Sequence, residues 1–453
     1  MIEKFQKWLK ENAITEVECL VPDLGGIARG KILPTNKFIK GLKDNSHRMP
    51  QSIFIQTISG GYATEDEEEL PHEVYNPTDI DVILKPDYNT IRIVPWNEDP
   101  TAQVICDADS LNGNPITNAS RHVLKKILKL FEKKGYTSIV SPELEFYLVK
   151  PNPDSDYPLE IPVGQSGRQE IGKQAYGVDA VNEFDPLFED VYDYCESQNI
   201  EIDTINHESG SAQMEINFQH GNPLDLADQV FLFKRTLRQA ALKHKLYATF
   251  MAKPMENQPG SSMHLHQSLY DKKNNNIFYK KNNLSNIMNN YIGGLQKYTP
   301  KLMPIHAPNV NSYRRLFATW YAPRNVKWGV GNRSCGFRIP EIEEKNMRIE
   351  NRISGSDTNP YLIFAANLAA GYLGIQNKIK ATEETKISTF DDKKSLLPKN
   401  MDVAISLFEK DEELSNIFGL KFIKTIAAIR RVEYQAYLKV VSSWEREYLL
   451  LNV

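Results

Sequence analysis

The spacing of apolar residues changes period several times along the chain. In MIEKFQKWLKENAI (1–14) they recur at helical spacing, which predicts a charged amphipathic helix rather than a cleavable leader. VECLVPDLGGIARGKILP (17–34) has β-rich flanks around Asp23-Leu24-Gly25-Gly26, the pattern of a hairpin. DIDVILKPDYNTIRIVPW (79–96) continues it, with turns at Pro86-Asp87 and Asn89. The first hundred residues thus read as one helix followed by short strands and turns. Near LNGNP (111–115) the pattern breaks into a loop. A helix is predicted after it, capped by Asn118 or Ser120, with Val123, Ile127 and Leu128 on one stripe. A domain boundary is placed there, giving segments 1–112 and 113–453.

Strands and longer helices mix beyond the boundary. SIVSPELEFYLV (138–149) reads as a strand, PLDLADQVFLFKRTLRQAALKHK (223–245) as a helix, and LYATFMAK (246–253) as a strand. NPYLIFAANLAAGYL (359–373) reads as a helix with Asn359 as cap and Pro360 in the first turn. Its apolar run is too short to cross a bilayer and carries Asn367, so a buried core helix is expected and no membrane partner. KKNNNIFYKKNN (272–283) is a polar turn-forming insert, and the tail 395–453 is mostly helical in pattern.

Composition narrows the class. At 453 residues the chain suits two or more domains, and 41% hydrophobic with 25% charged residues excludes disorder, collagen and coiled coil for the whole. With 54 basic and 58 acidic residues the net charge is −4, which offers no global attraction for nucleic acid. Cys19, Cys106, Cys195 and Cys335 have no metal-knuckle spacing and read as reduced thiols of a cytoplasmic protein.

The sharpest chemical signal is Glu143-Leu144-Glu145-Phe146. Alternation on a strand puts both carboxylates on one face, roughly 6.5 Å apart, and Leu144 and Phe146 on the other. A magnesium ion takes oxygens at about 2.1 Å, so two ions fit this spacing better than one. The same alternation recurs in His264-Leu265-His266, with Ser268 in phase, and in Arg348-Ile349-Glu350-Asn351-Arg352. Glu208 and Glu215 bracket SGSAQM. Several strands presenting ionisable groups imply one polar cleft, and buried carboxylates call for cations. Mostly carboxylates with one imidazole suit Mg2+ or Mn2+ rather than structural zinc. Arg314, Arg315, Arg333, Arg338, Lys345, Arg348 and Arg352 form a cationic set matching phosphate and carboxylate oxygens. Metals beside arginines point to phosphoryl transfer from a nucleotide, here without a P-loop or a dinucleotide fingerprint.

In this order, PELEFY, the Glu208–Glu215 segment, KP…GSSMHLH, NSYRR, NRSCGFRIP and RIENRISGSDTNPYL resemble the glutamine synthetase family, nearest its γ-glutamylpolyamine (γ-glutamylputrescine) synthetase branch. DLGGIARGK (23–31) is similar to the family's N-terminal domain. The resemblance implies an α+β fold: a small N-terminal β-grasp domain, then a large catalytic domain with a curved, mainly antiparallel sheet flanked by helices. It implies one metal on Glu145, Glu208 and Glu215 and another on Glu143, His264 and Glu350. Gly260, Arg315 and Arg352 would handle glutamate, with Arg352 and Arg333 serving the phosphoryl chemistry. His266, Ser268, Arg338 and Lys345, with Asp203 and Arg348, would face ATP. The partners implied are L-glutamate, ATP, an amine, and further copies of the chain in a dodecamer of stacked hexamers with sites between subunits.

Departures from the family bear on the amine. Ammonia-using members carry Phe-Asp-Gly-Ser-Ser where this chain reads SIFIQTISGG (52–61), which puts Thr57 near the Asp position. They carry Tyr-Glu-Ala-Pro on the flap, where this chain has Trp320-Tyr321-Ala322-Pro323. Two anionic groups that would cage ammonium are missing, and Tyr321 matches the polyamine branch. A polyamine such as putrescine, spermidine or spermine is therefore expected, with ammonia, ethanolamine or methylamine, or an inactive scaffold, as alternatives. Pro259-Gly260-Ser261-Ser262 departs from the usual glycine-rich loop, and STFDDKKSLLPKN (388–400) lacks the tyrosine segment that some bacterial members adenylylate. The acidic run Glu65 to Glu69 is either a solvated loop or an attractor for polycations.

Overall fold

The computed structural model describes every residue except 66–69, 71, 73, 319–321, 391 and 393–396. The amine-site candidate Tyr321 and most of the acidic run therefore lie outside the described residues.

The N-terminal part is a six-stranded sheet carrying two helices. Helix α1 (Ile2–Glu11) precedes the hairpin of β1 (Glu16–Pro22) and β2 (Ala28–Pro34). The Asp23 carboxylate shapes the turn by accepting from the amides of Gly25 and Ile27 at 2.9 and 2.8 Å. Helix α2 (Thr35–Asp44) follows, where the sequence pattern predicts only strands and turns. Its apolar stripe is short, Phe38 being its one large side chain fully buried, so a period over so few residues is hard to read. Strands β3 (Arg48–Pro50), β4 (Asp81–Pro86), β5 (Arg92–Ile93) and β6 (Thr101–Ser110) complete the sheet, in order β2-β1-β6-β4-β3 with β5 also on β6. β1 and β6 run parallel.

The alternation along β1 and β6 divides their side chains between two cores. Val17, Cys19, Val21, Val104 and Cys106 pack with Phe5 and Phe38 under α1 and α2. Leu20 and Ile105 point the other way into the core of the larger part. Burial on both faces is why these strands read as nearly continuous apolar runs.

The larger part begins with α3 (Ser120–Lys133). Neither expected cap residue caps it. Its N-cap is Ala119, Ser120 donates to the Pro22 carbonyl at 2.9 Å, and Asn118 donates to Thr425 at 3.4 Å. Both polar side chains tie α3 to other elements instead of its own amides. An eight-stranded sheet follows, built from β7 (Thr137–Val149), β8 (Ile202–His207), β9 (Gln213–Phe218), β10 (Tyr247–Thr249), β11 (Met263–Tyr270) and three later strands. The polar insert folds as a small hairpin, β12 (Tyr279–Lys280) and β13 (Asn283–Leu284). The sheet closes with β14 (Trp328–Val330), β15 (Phe337–Ile339) and β16 (Ile349–Asn351), in order β14-β15-β16-β11-β7-β9-β8 with β10 on β7. Among the described residues of this sheet, only β14 and β15 pair in parallel. The predicted strand 246–253 is real but ends at Thr249, after three residues.

The helices are α4 (Val178–Asn182), α5 (Asp185–Ser197), α6 (Pro223–Lys243), α7 (Asn286–Tyr298), α8 (Met303–His306), α9 (Val310–Ala318), α10 (Pro360–Gln376), and α11 (Met401–Glu409), α12 (Glu412–Phe418), α13 (Leu420–Leu438) and α14 (Ser443–Leu449) in the tail. α10 is the buried helix expected. Asn359 caps it, accepting from the amides of Tyr361 and Leu362, and Asn367 is satisfied by Gln267, Asn351 and the Ile363 carbonyl. No helix among the described residues is long and apolar enough to cross a membrane. All four cysteines are buried free thiols.

The two parts are joined by polar side chains. Arg121 of α3 reaches Asp87 and Asp107 of the N-terminal part at 2.7 and 2.9 Å and grips Asp228 of α6 through two bonds of 2.9 and 3.0 Å. Glu18 pairs with Arg235, and the Ile58 amide donates to Glu433 at 2.7 Å. These ties and the partly shared core hold the N-terminal sheet against the carrier of the site.

Candidate active site

β7 is the central strand of the site. Its Leu144 and Phe146 are fully buried in the core, so Glu143 and Glu145 face the opposite side as alternation requires. β11 pairs with β7 on one side, setting His264 opposite Glu143, and β9 pairs on the other, setting Glu215 opposite Glu145. β16 pairs with β11 and sets Glu350 opposite His266. Four strands thus deliver their ionisable side chains to one cleft of about 420 Å3, lined also by Glu208, Gly260, Arg315, Arg333, Arg338 and Arg352.

His264 sits between two donor sets. Ligand atoms of Glu143, His264 and Glu350 lie within 4.8 Å of one another, as do those of Glu145, Glu215 and His264. The first is the expected trio. In the second His264 stands where Glu208 was expected. Glu208 lines the same cleft, but its carboxylate accepts from the Ser209 amide at 3.2 Å. Burial raises Glu145, and the nearby Glu208 adds to it, up to about 8; burial and then Glu143 push Glu215 up to about 9. Burial alone would also raise Glu143, yet His264 and His266 hold it well below the usual carboxylate range. Glu350 is held at about 2, burial being outweighed by Arg352 and the two histidines. Carboxylates this close, with Glu145, Glu215 and, through burial, Glu208 all driven toward protonation, form a donor set that divalent cations fit.

Arginines balance part of this charge. Arg338 bonds Glu350 at 2.7 Å and Arg352 bonds it from the other side. Arg315 is buried and clamps two loops, donating to Ser262 Oγ at 2.5 Å and to the Ile353 carbonyl at 2.7 Å. Gly260 must be glycine for this packing, since a Cβ there would lie 2.6 Å from Arg315 Cγ and 2.7 Å from the Ala252 carbonyl. Arg333 lies exposed at the cleft, with no ion pair among the described residues.

A second cavity of about 350 Å3 lies further along the same face of β11. His266, Ser268, Lys345 and Arg348 line it, whereas Arg338 opens on the acidic cleft. His266 joins the two cavities. Its Nε2 donates to Glu143 at 2.7 Å, and its Nδ1 accepts from Arg348 Nε at 3.3 Å. Two expected residues are not in either cavity. Asp203 is exposed on β8, and Thr57 is buried in the N-terminal part, bonded to Ser59 at 3.0 Å.

Sequence reading missed four residues at the site. Gln213 donates to Glu145 at 3.4 Å and to the Gly260 carbonyl at 3.1 Å. It is in phase with Glu215 on β9, a signal that alternation carries. The Ser262 amide donates to Glu145 at 2.7 Å. Tyr176 and Phe390 line the cleft from loops, where periodicity gives no signal.

Known proteins share the sequence and fold of this chain over nearly its whole length. The description "Glutamine synthetase, catalytic domain" matches residues 117–449. Glutamate–isopropylamine ligase of Pseudomonas sp is 30% identical over 457 residues, covering 98% of this chain and 96% of its own. γ-Glutamylputrescine synthetase PuuA of Escherichia coli (strain K12) is 30% identical over 454 residues, covering 99% and 95%. Glutamine synthetase of Methanocaldococcus jannaschii is also 30% identical, over 466 residues, covering 99% and 98%. The solved structure of a GmaS/ADP complex matches with a TM-score of 0.84 at 26% identity, over 98% of this chain and 99% of that one. The strand-borne carboxylates, the arginines that balance them and this full-length likeness place the chain in the glutamine synthetase family of ligases.

Proposed function

We propose that this glutamate–amine ligase joins the γ-carboxylate of glutamate to a polyamine such as putrescine, spermidine or spermine, through γ-glutamyl phosphate. The observation that carries the amine assignment is the missing ammonium cage. Thr57 and Tyr321 stand where ammonia-using members have carboxylates, and Thr57 spends its hydroxyl on Ser59. Relatives at the same 30% identity include glutamine synthetases and ligases for larger amines, so identity alone does not choose.

A carboxylate and an amine do not condense unaided at neutral pH, so the glutamate must first be phosphorylated by ATP. The four residues of the second cavity face the nucleotide in this reading, with Arg338 at its inner end and Asp203 outside both cavities. Glutamate lies near Gly260, with Arg315 fixing the loops that shape its site and Arg352 beside Glu350. Arg333 meets the transferring phosphoryl group from the rim. Two or more Mg2+ or Mn2+ ions are assigned to Glu143, His264 and Glu350 and to Glu145, Glu215 and Glu208; when bound they neutralise phosphoryl charge. Arginine donors preorganised in a partly closed cleft stabilise the same charge without reorganisation.

The attacking amine must arrive neutral. For a lysine-like pKa of about 10.4, deprotonation at pH 7 costs roughly 4.6 kcal/mol. The acidic side chains of the cleft attract the ammonium form, and loss of water on closure favours the neutral one.

Domains of residues 1–112 and 113–453 are part of this reading; two cores support it, although Leu20 and Ile105 enter the larger one and Ile116 and Ala119 the smaller. A dodecamer of stacked hexamers, which would bring a neighbour's Thr57 segment to the cleft, completes the proposal. The test is phosphate release from ATP with Mg2+, glutamate and a panel of amines. Preference for putrescine, spermidine or spermine is expected; preference for ammonia would overturn the amine assignment.

A further inference from the structure

The acidic cleft does not end at Tyr176. That residue also lines an adjoining groove of about 350 Å3, which the reaction as described leaves unused. α4 forms one wall, with Val178 and Val181; α5 forms the other, with Phe188 and Tyr192; Ile205 of β8 lies at the floor. Tyr176 sits on a left-handed backbone, φ +62°, and its amide donates to the His207 carbonyl at 2.9 Å, which fixes it between the two spaces. Tyr176 and Val178 are both 72% exposed, an unusual cost in apolar surface unless something covers it.

The groove is apolar along its walls and anionic at its edge. Asp185 and Glu189 lie one turn apart on α5, on the face that carries Phe188 and Tyr192. Neither carboxylate has an ion pair or hydrogen bond among the described residues. Like charges at this spacing weaken a helix, and among the described residues no cation is paired with them. The occupant that matches is an alkyl chain ending in a cation. Methylenes suit the Val178, Val181 and Phe188 surface, an ammonium suits the two carboxylates, and the Tyr192 ring beside Glu189 adds a face for the cation.

We propose that this groove is a distal-ammonium subsite for a diamine or polyamine whose reacting amine lies in the acidic cleft, with the chain passing Tyr176. The inference rests on the amine assignment above and deepens it, since it says how a second positive charge is read. A monoamine of equal length fills the groove but leaves both carboxylates unpaired, and ammonia does not reach it.

The test compares putrescine with pentylamine, in which a methyl group replaces the second ammonium, on the full-length enzyme. The unmodified enzyme should prefer putrescine. In the double variant D185N/E189Q, kcat/KM for putrescine should fall about tenfold, the sum of two exposed ion pairs, while that for pentylamine stays within about twofold. E196Q, on the same helix but outside the groove, should keep the preference. Raising ionic strength gives the same reading without substitution: KM for spermidine should climb more steeply than KM for pentylamine. A double variant that keeps its preference, or that loses both substrates equally, overturns the subsite and leaves the polyamine assignment standing. An unmodified enzyme that uses putrescine no better than pentylamine overturns the assignment itself.

Discussion

Arg121 is the residue whose loss should most weaken the join between the N-terminal sheet and the site. It is 3% exposed and faces three carboxylates, Asp228 at 8%, Asp107 at 17% and Asp87 at 24% exposed. Burial penalises its charge, but Asp228 and Asp107 more than offset that and raise it above its ordinary range. The perturbation is Arg121→Met, which keeps the bulk and removes the cation. Among the described residues Asp228 then keeps the Tyr361 hydroxyl, at 2.7 Å, as its one hydrogen-bond partner in a buried site. Removing one partner of a buried ion pair costs about 3–5 kcal/mol, because the remaining charge is stranded. Asp107 keeps Lys125, so the upper end of that range is not expected. Arg121→Lys keeps the charge but loses the two-pronged grip on Asp228, and about half the loss should return.

The pH dependence has a definite sign. Burial would raise Asp107, but Arg121 and Lys125 hold it below its ordinary value. Its stabilisation is therefore present above the unfolded carboxylate pKa and is lost as pH falls through the lower folded value. Without Arg121, burial drives the folded pKa of Asp228 further up, and that cost is present above the folded value and vanishes below the unfolded one. The Asp228 effect makes the gap between native and Arg121→Met widest at neutral pH and narrows it toward about pH 4, and the Asp107 effect narrows it further only below that. Urea unfolding at several pH values, followed by tryptophan fluorescence, reads the gap. A loss under about 1 kcal/mol at pH 7, or one that does not shrink on acidification, would refute the reasoning.

Two further outcomes follow from the site. Gly260→Ala should lower kcat/KM for glutamate by at least about tenfold, since a Cβ at 2.6 Å from Arg315 forces apart the two loops that Arg315 clamps; unchanged glutamate kinetics in initial-rate assays would count against that packing. Enzyme stripped with EDTA should gain thermal stability on adding Mg2+ or Mn2+, by about 2.7 kcal/mol at a hundredfold excess over Kd, and Glu350→Gln should blunt the gain; equal metal protection in variant and native protein would argue against the assigned trio.

What could be read from the sequence divides along a physical line. Period-two alternation placed Glu143 and Glu145 on one face, and the structure keeps them there because Leu144 and Phe146 are fully buried. The same rule reaches His264, His266 and Glu350, whose strands pair directly. The buried α10 with its Asn359 cap was legible because apolar run, cap and proline agreed. Asn118 and Ser120 failed as caps because tertiary partners, Thr425 and the Pro22 carbonyl, took their side chains. α2 escaped because its stripe is too short to establish a period. Tyr176 and the α4–α5 groove escaped for a different reason. They depend on which loop lies beside which helix, and no local pattern encodes that.

The cleft also shows how a chain with nearly balanced charge makes a strongly charged site. On β7, β9, β11 and β16 one set of alternate positions fills the core, so the strands are held in register by their backbone ladders and by packing on that face, where Gln267 and Asn351 also bond Asn367. The other set is then free to be ionisable without deciding the fold. Its charges still have to be compensated locally. Arg338 and Arg352 do so for Glu350, while Glu143 is held by hydrogen bonds to His264 and His266, burial pushing His264 toward its neutral form. Among the described residues no arginine is hydrogen-bonded to Glu145 or Glu215, and burial with neighbouring carboxylates pushes both toward protonation. The least compensated carboxylates therefore mark where cations are most needed, while Glu143 and Glu350 enter the other donor set with hydrogen-bond partners already in place. An Arg348–His266–Glu143 chain of hydrogen bonds runs from the second cavity into the first.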